Sequence, residues 1–214
     1  MKILLLCGSP RPKGSNSLYL LQALQARLGE GHAITLVQAA DWNPGAREAV
    51  LQAVWDSDRI VLAFPLYVDG IPSNLLGVLR AVEEQAPGRR AAGLVYAVVN
   101  NGFYEAEQNI TAIEMVWNWC RRCGLPQGRA LAVGAGEMAQ AAPLGRGPGV
   151  NLGRAMDAFA QDVKQGNIGG TRLVEPNFPR FLYKQAAHMG WRRKAKGNGL
   201  PVRAIRRAPG GKGE

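Results

Sequence analysis

Five short apolar segments, separated by segments with helical periodicity, limit the folds open to this chain more than any other feature of its sequence. The segments are five or six residues long, and most are almost continuously apolar, which is typical of parallel strands covered on both faces. They are Ile3–Cys7, Ala33–Val37, Ile60–Phe64, Leu94–Val99 and Arg129–Val133. Strands that alternate with helices in this way predict a doubly wound α/β domain with a parallel sheet.

The segments between the predicted strands carry apolar residues at helical spacing. The predicted helices are Ser17–Leu28, Arg47–Trp55, Ser73–Glu84, Ala106–Arg122 and Gly149–Lys164. In two of them the spacing predicts the buried face: Leu76, Leu79 and Val82 in the third helix, and Ile110, Ile113, Trp117 and Cys120 in the fourth. Right-handed crossovers then leave few topologies for the sheet.

A polar loop joins the first predicted strand to the first predicted helix. This first loop reads Gly8-Ser9-Pro10-Arg11-Pro12-Lys13-Gly14-Ser15-Asn16-Ser17. Ser15 or Asn16 can cap the helix, and the free N–H groups of its first turn, with the helix dipole, favour an anion. The triphosphate-binding loop and the dinucleotide fingerprint each require a glycine where this chain has Lys13 and Pro10, respectively. The loop therefore predicts a different nucleotide-type phosphate site, with a plain strand-to-helix turn as the alternative.

Two further loops follow predicted strands 3 and 4. The second loop reads Pro65-Leu66-Tyr67-Val68-Asp69-Gly70-Ile71-Pro72, and the third loop reads Asn100-Asn101-Gly102-Phe103-Tyr104-Glu105. The second offers apolar and aromatic cover, whereas the third offers amides and a glycine that lets backbone approach a ligand. Together they suit a large planar ring with a polar edge.

Three motifs in these loops resemble the NADPH-dependent FMN reductase family: Gly-Ser-Pro-Arg-x-x-x-Ser-Asn-Ser, Pro-x-Tyr-x-x-x-x-Pro and Asn-Gly-x-x-Glu. The resemblance covers most of residues 1–175. It implies a flavodoxin-like, three-layer α/β/α fold with a five-stranded parallel sheet in the order 2-1-3-4-5. In that order, the loops after strands 1, 3 and 4 meet at one edge of the sheet.

The resemblance implies FMN as the cofactor and NAD(P)H as the co-substrate. The cofactor-binding residues that it implies are Ser9, Arg11, Ser15, Asn16 and Ser17 for the phosphate, and Pro65, Leu66, Tyr67, Val68, Asn100, Asn101, Gly102, Phe103 and Glu105 for the ring and its edge. Tyr67 could instead be a half-exposed loop aromatic, and Glu105 a first-turn acid of the fourth helix rather than a catalytic group. Neither a catalytic residue of the protein nor a metal site is predicted.

The function expected from the resemblance is hydride transfer from the nicotinamide to bound FMN, and then to a small acceptor such as a quinone, a nitro or azo compound, a flavin or a metal ion. The alternative is a flavodoxin-type electron carrier without NAD(P)H turnover. A third reading is a binding module whose basic tail contacts nucleic acid or anionic lipid. With only His32 and His188, the sequence offers no hydrolase constellation. The resemblance also implies a homodimer.

The number of cysteines and the length of the apolar runs together predict the cellular compartment of the protein. Three cysteines, an odd number, do not predict a disulfide framework, and Cys7 is expected to be a buried small hydrophobe. An iron–sulfur cluster or a structural zinc site needs about four protein ligands, and Cys120 and Cys123 supply only two, so we interpret them as packing residues. No apolar run has the ~20 residues of a membrane span, and the N-terminal run is too short for a signal peptide. The sequence therefore predicts a cytoplasmic protein.

The C-terminal part differs in charge from the rest of the chain. Arg180 to Glu214 contains ten Lys and Arg residues and one acid, whereas the preceding residues are nearly neutral. Phe178, Leu182, Ala186 and Met189 lie at helical spacing there. We predict an FMN-binding domain over residues 1–175 and a C-terminal helix with a basic tail over 176–214. The helix is expected to pack on the body or on a second subunit, with docking on an anionic membrane as the alternative, and nucleic acid is not expected.

One more loop follows predicted strand 5. It begins Gly134-Ala135-Gly136-Glu137-Met138-Ala139, which resembles a loose dinucleotide fingerprint but follows the wrong strand for one. We interpret it as a turn, and the glycine- and proline-rich segment that continues to Gly149 as a candidate wall of a substrate pocket.

Overall fold

A parallel sheet forms the centre of the computed structural model, which describes residues 1–89 and 93–201. Its six strands are hydrogen-bonded in the order β2-β1-β3-β4-β5-β6. The strands are β1 (Lys2–Cys7), β2 (Ala33–Gln38), β3 (Arg59–Pro65), β4 (Leu94–Asn100), β5 (Gln127–Val133) and β6 (Thr171–Val174). The order of the first five is the predicted one, and all are parallel.

The prediction of five strands is wrong, because β6 extends the sheet beyond β5. It pairs in parallel with β5, from Ala130 opposite Thr171 to Val133 opposite Val174. The strand is only four residues long, and Arg172 and Leu173 are exposed at the edge of the sheet. A short edge strand needs no continuous apolar run, so the pattern that identified the buried strands could not identify this one.

Six α-helices and four short 3₁₀ helices accompany the strands in the described residues, and all but the last α-helix lie between strands. The α-helices are α1 (Asn16–Leu28), α2 (Arg47–Asp56), α3 (Ser73–Gln85), α4 (Ile110–Cys123), α5 (Val150–Gln165) and α6 (Arg180–Gly197). The 3₁₀ helices are Ala39–Asp41, Ala106–Asn109, Gly136–Ala139 and Gly147–Gly149. The first predicted helix therefore begins one residue earlier, and the fourth opens with a 3₁₀ turn.

The sheet separates two hydrophobic cores. Alternate strand residues such as Leu4 and Leu62 pack with α2, α3 and α4, whereas Leu5 and Val61 pack with α1 and α5. Strands buried on both faces explain why their sequences read as nearly continuous apolar runs. The predicted stripes of α3 and α4 are partly displaced: Leu75 is buried where Leu76 was expected, and Val116 where Trp117 was expected.

All three cysteines are free and buried. Cys7 ends β1, and Cys120 and Cys123 lie on the face of α4 that packs into the core. Burial raises the pKa of Cys120 to about 12 and that of Cys123 to about 11. Among the described residues, no group of His, Cys, Asp or Glu side chains is arranged to hold a metal ion. The cysteine pair is part of the core packing.

The chain divides into two compact units, Met1–Asn177 and Phe178–Glu214. The first contains the whole sheet and helices α1 to α5. In the second, the predicted C-terminal helix is present as α6, although Phe178 precedes it. The basic residues after position 201 lie outside the described residues. None of the helices in the described ranges is long and apolar enough to span a bilayer.

Candidate functional site

A pocket of about 540 Å³ opens at the carboxyl ends of β1, β3, β4 and β5. Its size is typical of small-molecule and cofactor sites. The lining residues come from four loops: Ser9, Arg11, Gly14, Ser15, Asn16, Ser17, Pro65, Leu66, Tyr67, Asn100, Asn101, Gly102, Glu137, Gln140 and Ala141. Because parallel strands end at the same edge of a sheet, residues far apart in sequence meet here.

Ser15 caps α1 and so fixes the first loop against the helix. Its backbone is extended, and its Oγ accepts a hydrogen bond from Leu18 N at 3.2 Å. Ser9 Oγ likewise accepts a hydrogen bond from Arg11 N at 3.2 Å. Both hydroxyls accept from the backbone, and Ser9 keeps a proton to donate, whereas the Ser15 hydroxyl also contacts Cys7 Sγ, where either atom can be the donor. The first-turn N–H groups of α1 add further donors and a positive dipole end, which together favour an anion.

Gly8 lets the first loop lie close to α3. A Cβ atom at this position would lie 2.5 Å from Leu75 Cδ2 and 2.9 Å from Phe64 Cβ. Beneath the loop, Cys7 Sγ lies 4.0 Å from Ser15 Oγ. Burial raises the pKa of the Cys7 thiol. This end of the pocket therefore rests directly on the core.

Ser17 connects the first loop to the third. Its hydroxyl donates a hydrogen bond to Asn100 Oδ1 at 2.8 Å, and both residues are buried. The hydroxyl proton of Ser17 is thus engaged by Asn100, so its backbone N–H is the donor that it can offer to an anion.

Asn101 presents an unsatisfied acceptor in the third loop. Its Nδ2 donates to the carbonyl of Glu105 at 3.0 Å, which fixes the orientation of the amide, since a carbonyl can only accept. Asn101 is 3% exposed, and its Oδ1 has no hydrogen-bond partner within the described part of the chain. A buried acceptor without a partner costs free energy, and this oxygen is enclosed by protein atoms although Asn101 lines the pocket.

The second loop forms a small hairpin. Tyr67 and Gly70 exchange two backbone hydrogen bonds of 3.1 and 3.0 Å, and the two residues between them have positive φ, 47° at Val68 and 56° at Asp69. Positive φ is strained for a β-branched residue such as valine. Tyr67 is 46% exposed and lines the pocket, whereas Val68 is fully exposed and does not line it.

The fourth loop (Gly134–Gly149) is hydrogen-bonded to its neighbours rather than being only a turn. Three successive backbone N–H groups, at Gly134, Ala135 and Gly136, donate to the carbonyls of Val174, Phe103 and Asn101. Gly134 has no room for a side chain, because a Cβ would lie 2.1 Å from the carbonyl oxygen of Tyr104. Glu137, Gln140 and Ala141 consequently reach the pocket.

Residues 1–121 match the sequence model of the NADPH-dependent FMN reductases. The chain belongs to this family. No curated protein matches the chain significantly. Family membership places the chain among FMN-dependent oxidoreductases in general terms.

Solved structures share the fold of this family member. An NADH:FMN oxidoreductase in its apo form is 14% identical, with a TM-score of 0.59 over 76% of this chain and 89% of that one. An FMN-dependent NADH-azoreductase from Bacillus anthracis, in complex with FMN, is 11% identical, with a TM-score of 0.56 over 75% and 98%. A flavodoxin from Streptococcus pneumonia TIGR4 is 12% identical, with a TM-score of 0.53 over 78% and 99%. At these identities the similarity establishes a flavodoxin-like fold.

Most residues that the FMN reductase motifs implied come together in the pocket. Three of them, Val68, Phe103 and Glu105, are not among the lining residues. Phe103 is 56% exposed, and Glu105 directly precedes the 3₁₀ helix Ala106–Asn109. The sequence prediction missed Gly14, Glu137 and Gln140, whereas Ala141 belongs to the segment that was predicted as a candidate pocket wall. Glu137, Gln140 and Ala141 follow the family match at residues 1–121.

Proposed function

We propose that this protein is an FMN-dependent NAD(P)H oxidoreductase that passes electrons from a nicotinamide, through FMN, to a small acceptor. Quinones, nitro or azo compounds, flavins and metal ions are the acceptor classes. The observation that carries the proposal is one pocket in which a capped helix N-terminus, an apolar wall and the amides of the third loop meet. Each feature suits a different part of FMN.

The first loop suits the phosphate. The N-terminus of α1 offers backbone N–H groups, Ser9 offers a hydroxyl proton, and Arg11 is a cationic residue among those that line the pocket. Charge-assisted hydrogen bonds of this kind are stronger than neutral ones and favour a dianionic group. Ser17 would contribute its backbone N–H, because its hydroxyl donates to Asn100.

The third loop suits the polar edge of the flavin ring. The pyrimidine part of an oxidised flavin carries hydrogen-bond donors and acceptors, and the amide residues Asn100 and Asn101 line the pocket. Gly102 also lines the pocket, and the absence of a side chain lets a ring approach the backbone there.

The second loop suits the faces of the ring and the exchange of substrates. Pro65, Leu66 and Tyr67 provide apolar and aromatic surface on one wall. When bound, FMN supplies the hydride-accepting and electron-donating chemistry. The residues of the chain bind and orient the ring, exclude water from one side and leave the other side open to substrates that bind in turn. No acid or base of the protein is required.

Two measurements test this function. Titration of the apo-protein with FMN, followed by flavin fluorescence, should give saturable binding, and denaturation should release FMN. Anaerobic mixing of the complex with NADPH or NADH should then bleach the flavin absorbance within seconds. If dithionite bleaches the flavin but neither nicotinamide does, the protein is a flavodoxin-type carrier; if FMN does not bind, the flavoprotein assignment fails.

A further inference from the structure

Gln140, in the fourth loop, reaches across the pocket to the first loop. Its Nε2 donates to Asn16 Oδ1 at 2.6 Å and lies 3.3 Å from the carbonyl oxygen of Gly14. Gln140 and both of its partners line the pocket. These contacts join residues that are 124 and 126 positions apart in the sequence.

The carbonyl of Gly14 determines how the two amides are oriented. A backbone carbonyl only accepts, so the Gln140 atom that faces it must be the NH₂ group. The same NH₂ group faces Asn16, so the Asn16 atom that receives it must be the oxygen. One backbone oxygen therefore fixes the orientation of both side chains.

Because Gln140 binds Asn16 Oδ1, the Nδ2 group of Asn16, which is a hydrogen-bond donor, is the part of the amide left for a ligand in the pocket. Within the described part of the chain, Asn16 Nδ2 has no hydrogen-bond acceptor. A free asparagine near a helix N-terminus can also turn its oxygen onto nearby backbone N–H groups, where it would compete with an anion for them. By holding Asn16 Oδ1, Gln140 removes that competition and excludes the orientation in which the oxygen would repel a phosphate.

We propose that Gln140 is a positioning residue for the phosphate of the flavin: it acts through Asn16 and not by touching the reacting atoms. The proposal rests on the proposed function, since it takes the phosphate of FMN as the anion. It concerns a loop that follows the family match at residues 1–121. The base of that loop is held by the backbone hydrogen bonds of Ala135 and Gly136, so Gln140 extends from a fixed support.

Comparing FMN with riboflavin tests the proposal, because riboflavin has the same ring and ribityl chain but no phosphate. Gln140→Ala should weaken FMN binding roughly threefold to tenfold, the loss expected for one or two hydrogen bonds. Riboflavin affinity should change less than about twofold, within the scatter typical of a surface substitution. Gln140→Glu should weaken FMN more than Gln140→Ala does, because it removes the donors and adds a negative charge near the phosphate.

A double-mutant cycle with Asn16→Ala adds a second readout. If Gln140 acts through Asn16, Gln140→Ala should have little further effect on FMN affinity in the Asn16→Ala background. Gln52→Ala is the matched control, since Gln52 makes an exposed hydrogen bond to Asp56 on α2, and it should leave both affinities unchanged.

Three results would overturn the proposal: equal losses for FMN and riboflavin, no loss for either, or additive effects in the cycle. These are distinguishable from failure of the proposed function, which would appear as an absence of FMN binding by the unmodified protein.

Discussion

The two ends of the pocket are built in opposite ways. At the end formed by the first loop, Ser9, Ser15 and Ser17 are buried, whereas residues 10–14 are exposed. Side-chain hydrogen bonds join Ser15 to its own helix and Ser17 to Asn100. The end formed by the second loop is a hairpin with two residues of positive φ, of which Val68 is strained and fully exposed. Under the proposed function, the first-loop end would hold the cofactor and the hairpin end would exchange substrates.

A preorganised polar end reduces the entropy cost of binding a ligand that stays. A strained and exposed end retains the freedom to accommodate ligands that come and go. Substitutions at the first-loop end should therefore change cofactor affinity, whereas those at the hairpin should change substrate kinetics or stability.

We expect the greatest loss of FMN affinity on substitution of Arg11. A charge-assisted hydrogen bond contributes about 1.5–3 kcal/mol, so Arg11→Ala should weaken FMN binding by roughly tenfold to a hundredfold, measured by fluorescence titration. Arg80→Ala is the matched control, because Arg80 is 83% exposed on α3 and pairs only with Glu84 among the described residues. Equal affinities for the Arg11 variant and the unmodified protein would contradict the phosphate assignment.

Ser17→Ala should lower stability as well as affinity. The substitution leaves the buried Asn100 Oδ1 without its donor, which costs about 1–3 kcal/mol in the free energy of unfolding. Chemical denaturation of the apo-protein measures this loss, with the exposed Ser73→Ala as the control. An unchanged free energy of unfolding would show that the link between the first and third loops does not stabilise this end.

Tyr67→Ala should act on turnover more than on the cofactor. Aromatic contacts contribute about 0.5–1.5 kcal/mol, so we expect the rate of flavin reduction by the nicotinamide to fall up to roughly tenfold. FMN affinity should fall by a smaller factor than in Arg11→Ala. Stopped-flow spectroscopy measures the rate of flavin reduction, and fluorescence titration of the same variant measures its FMN affinity. If the affinity falls by a larger factor than the rate, the two ends of the pocket do not have separate roles.

Val68→Asn should stabilise the protein. Asparagine adopts positive φ more readily than valine, so the free energy of unfolding should rise by about 1 kcal/mol. Val68→Thr keeps the branched Cβ and should give no gain. FMN affinity should be unchanged in both variants, because Val68 does not line the pocket. A loss of stability in Val68→Asn would contradict the strain assigned to the hairpin.

The smallest effect should be seen at Cys7. Burial raises the pKa of this thiol, so at about pH 8 it carries less of the reactive thiolate than a free cysteine does. Labelling should therefore be slow in the native protein, and saturating FMN should slow it further by closing the first loop above it. Mass spectrometry of the labelled peptides separates Cys7 from Cys120 and Cys123. If the labelling rate of Cys7 is the same with and without FMN, this end of the pocket does not open locally.

Sequence patterns predicted the parts of this protein that depend on local chemistry or on burial. The continuous apolar runs identified five strands, and the hydroxyl-rich segment before Leu18 identified a capped helix N-terminus, which the Ser15 cap confirms. β6 was missed because an edge strand with Arg172 in it has no burial pattern. Gln140 could not be predicted, since its role depends on contacts with Gly14 and Asn16 that exist only in the folded chain.

The same long-range contacts link cofactor binding to the stability of the folded protein, and therefore to its rate of degradation. The Ser17–Asn100 hydrogen bond spans 83 residues, so the site forms only when β1 and β4 are already in place. A ligand that binds only the folded state stabilises it by about 2.7 kcal/mol at a hundredfold excess over its Kd. We therefore expect resistance to proteolysis to rise with FMN concentration. The amount of this protein in a cell would then follow the supply of its vitamin-derived cofactor, even at a constant rate of synthesis.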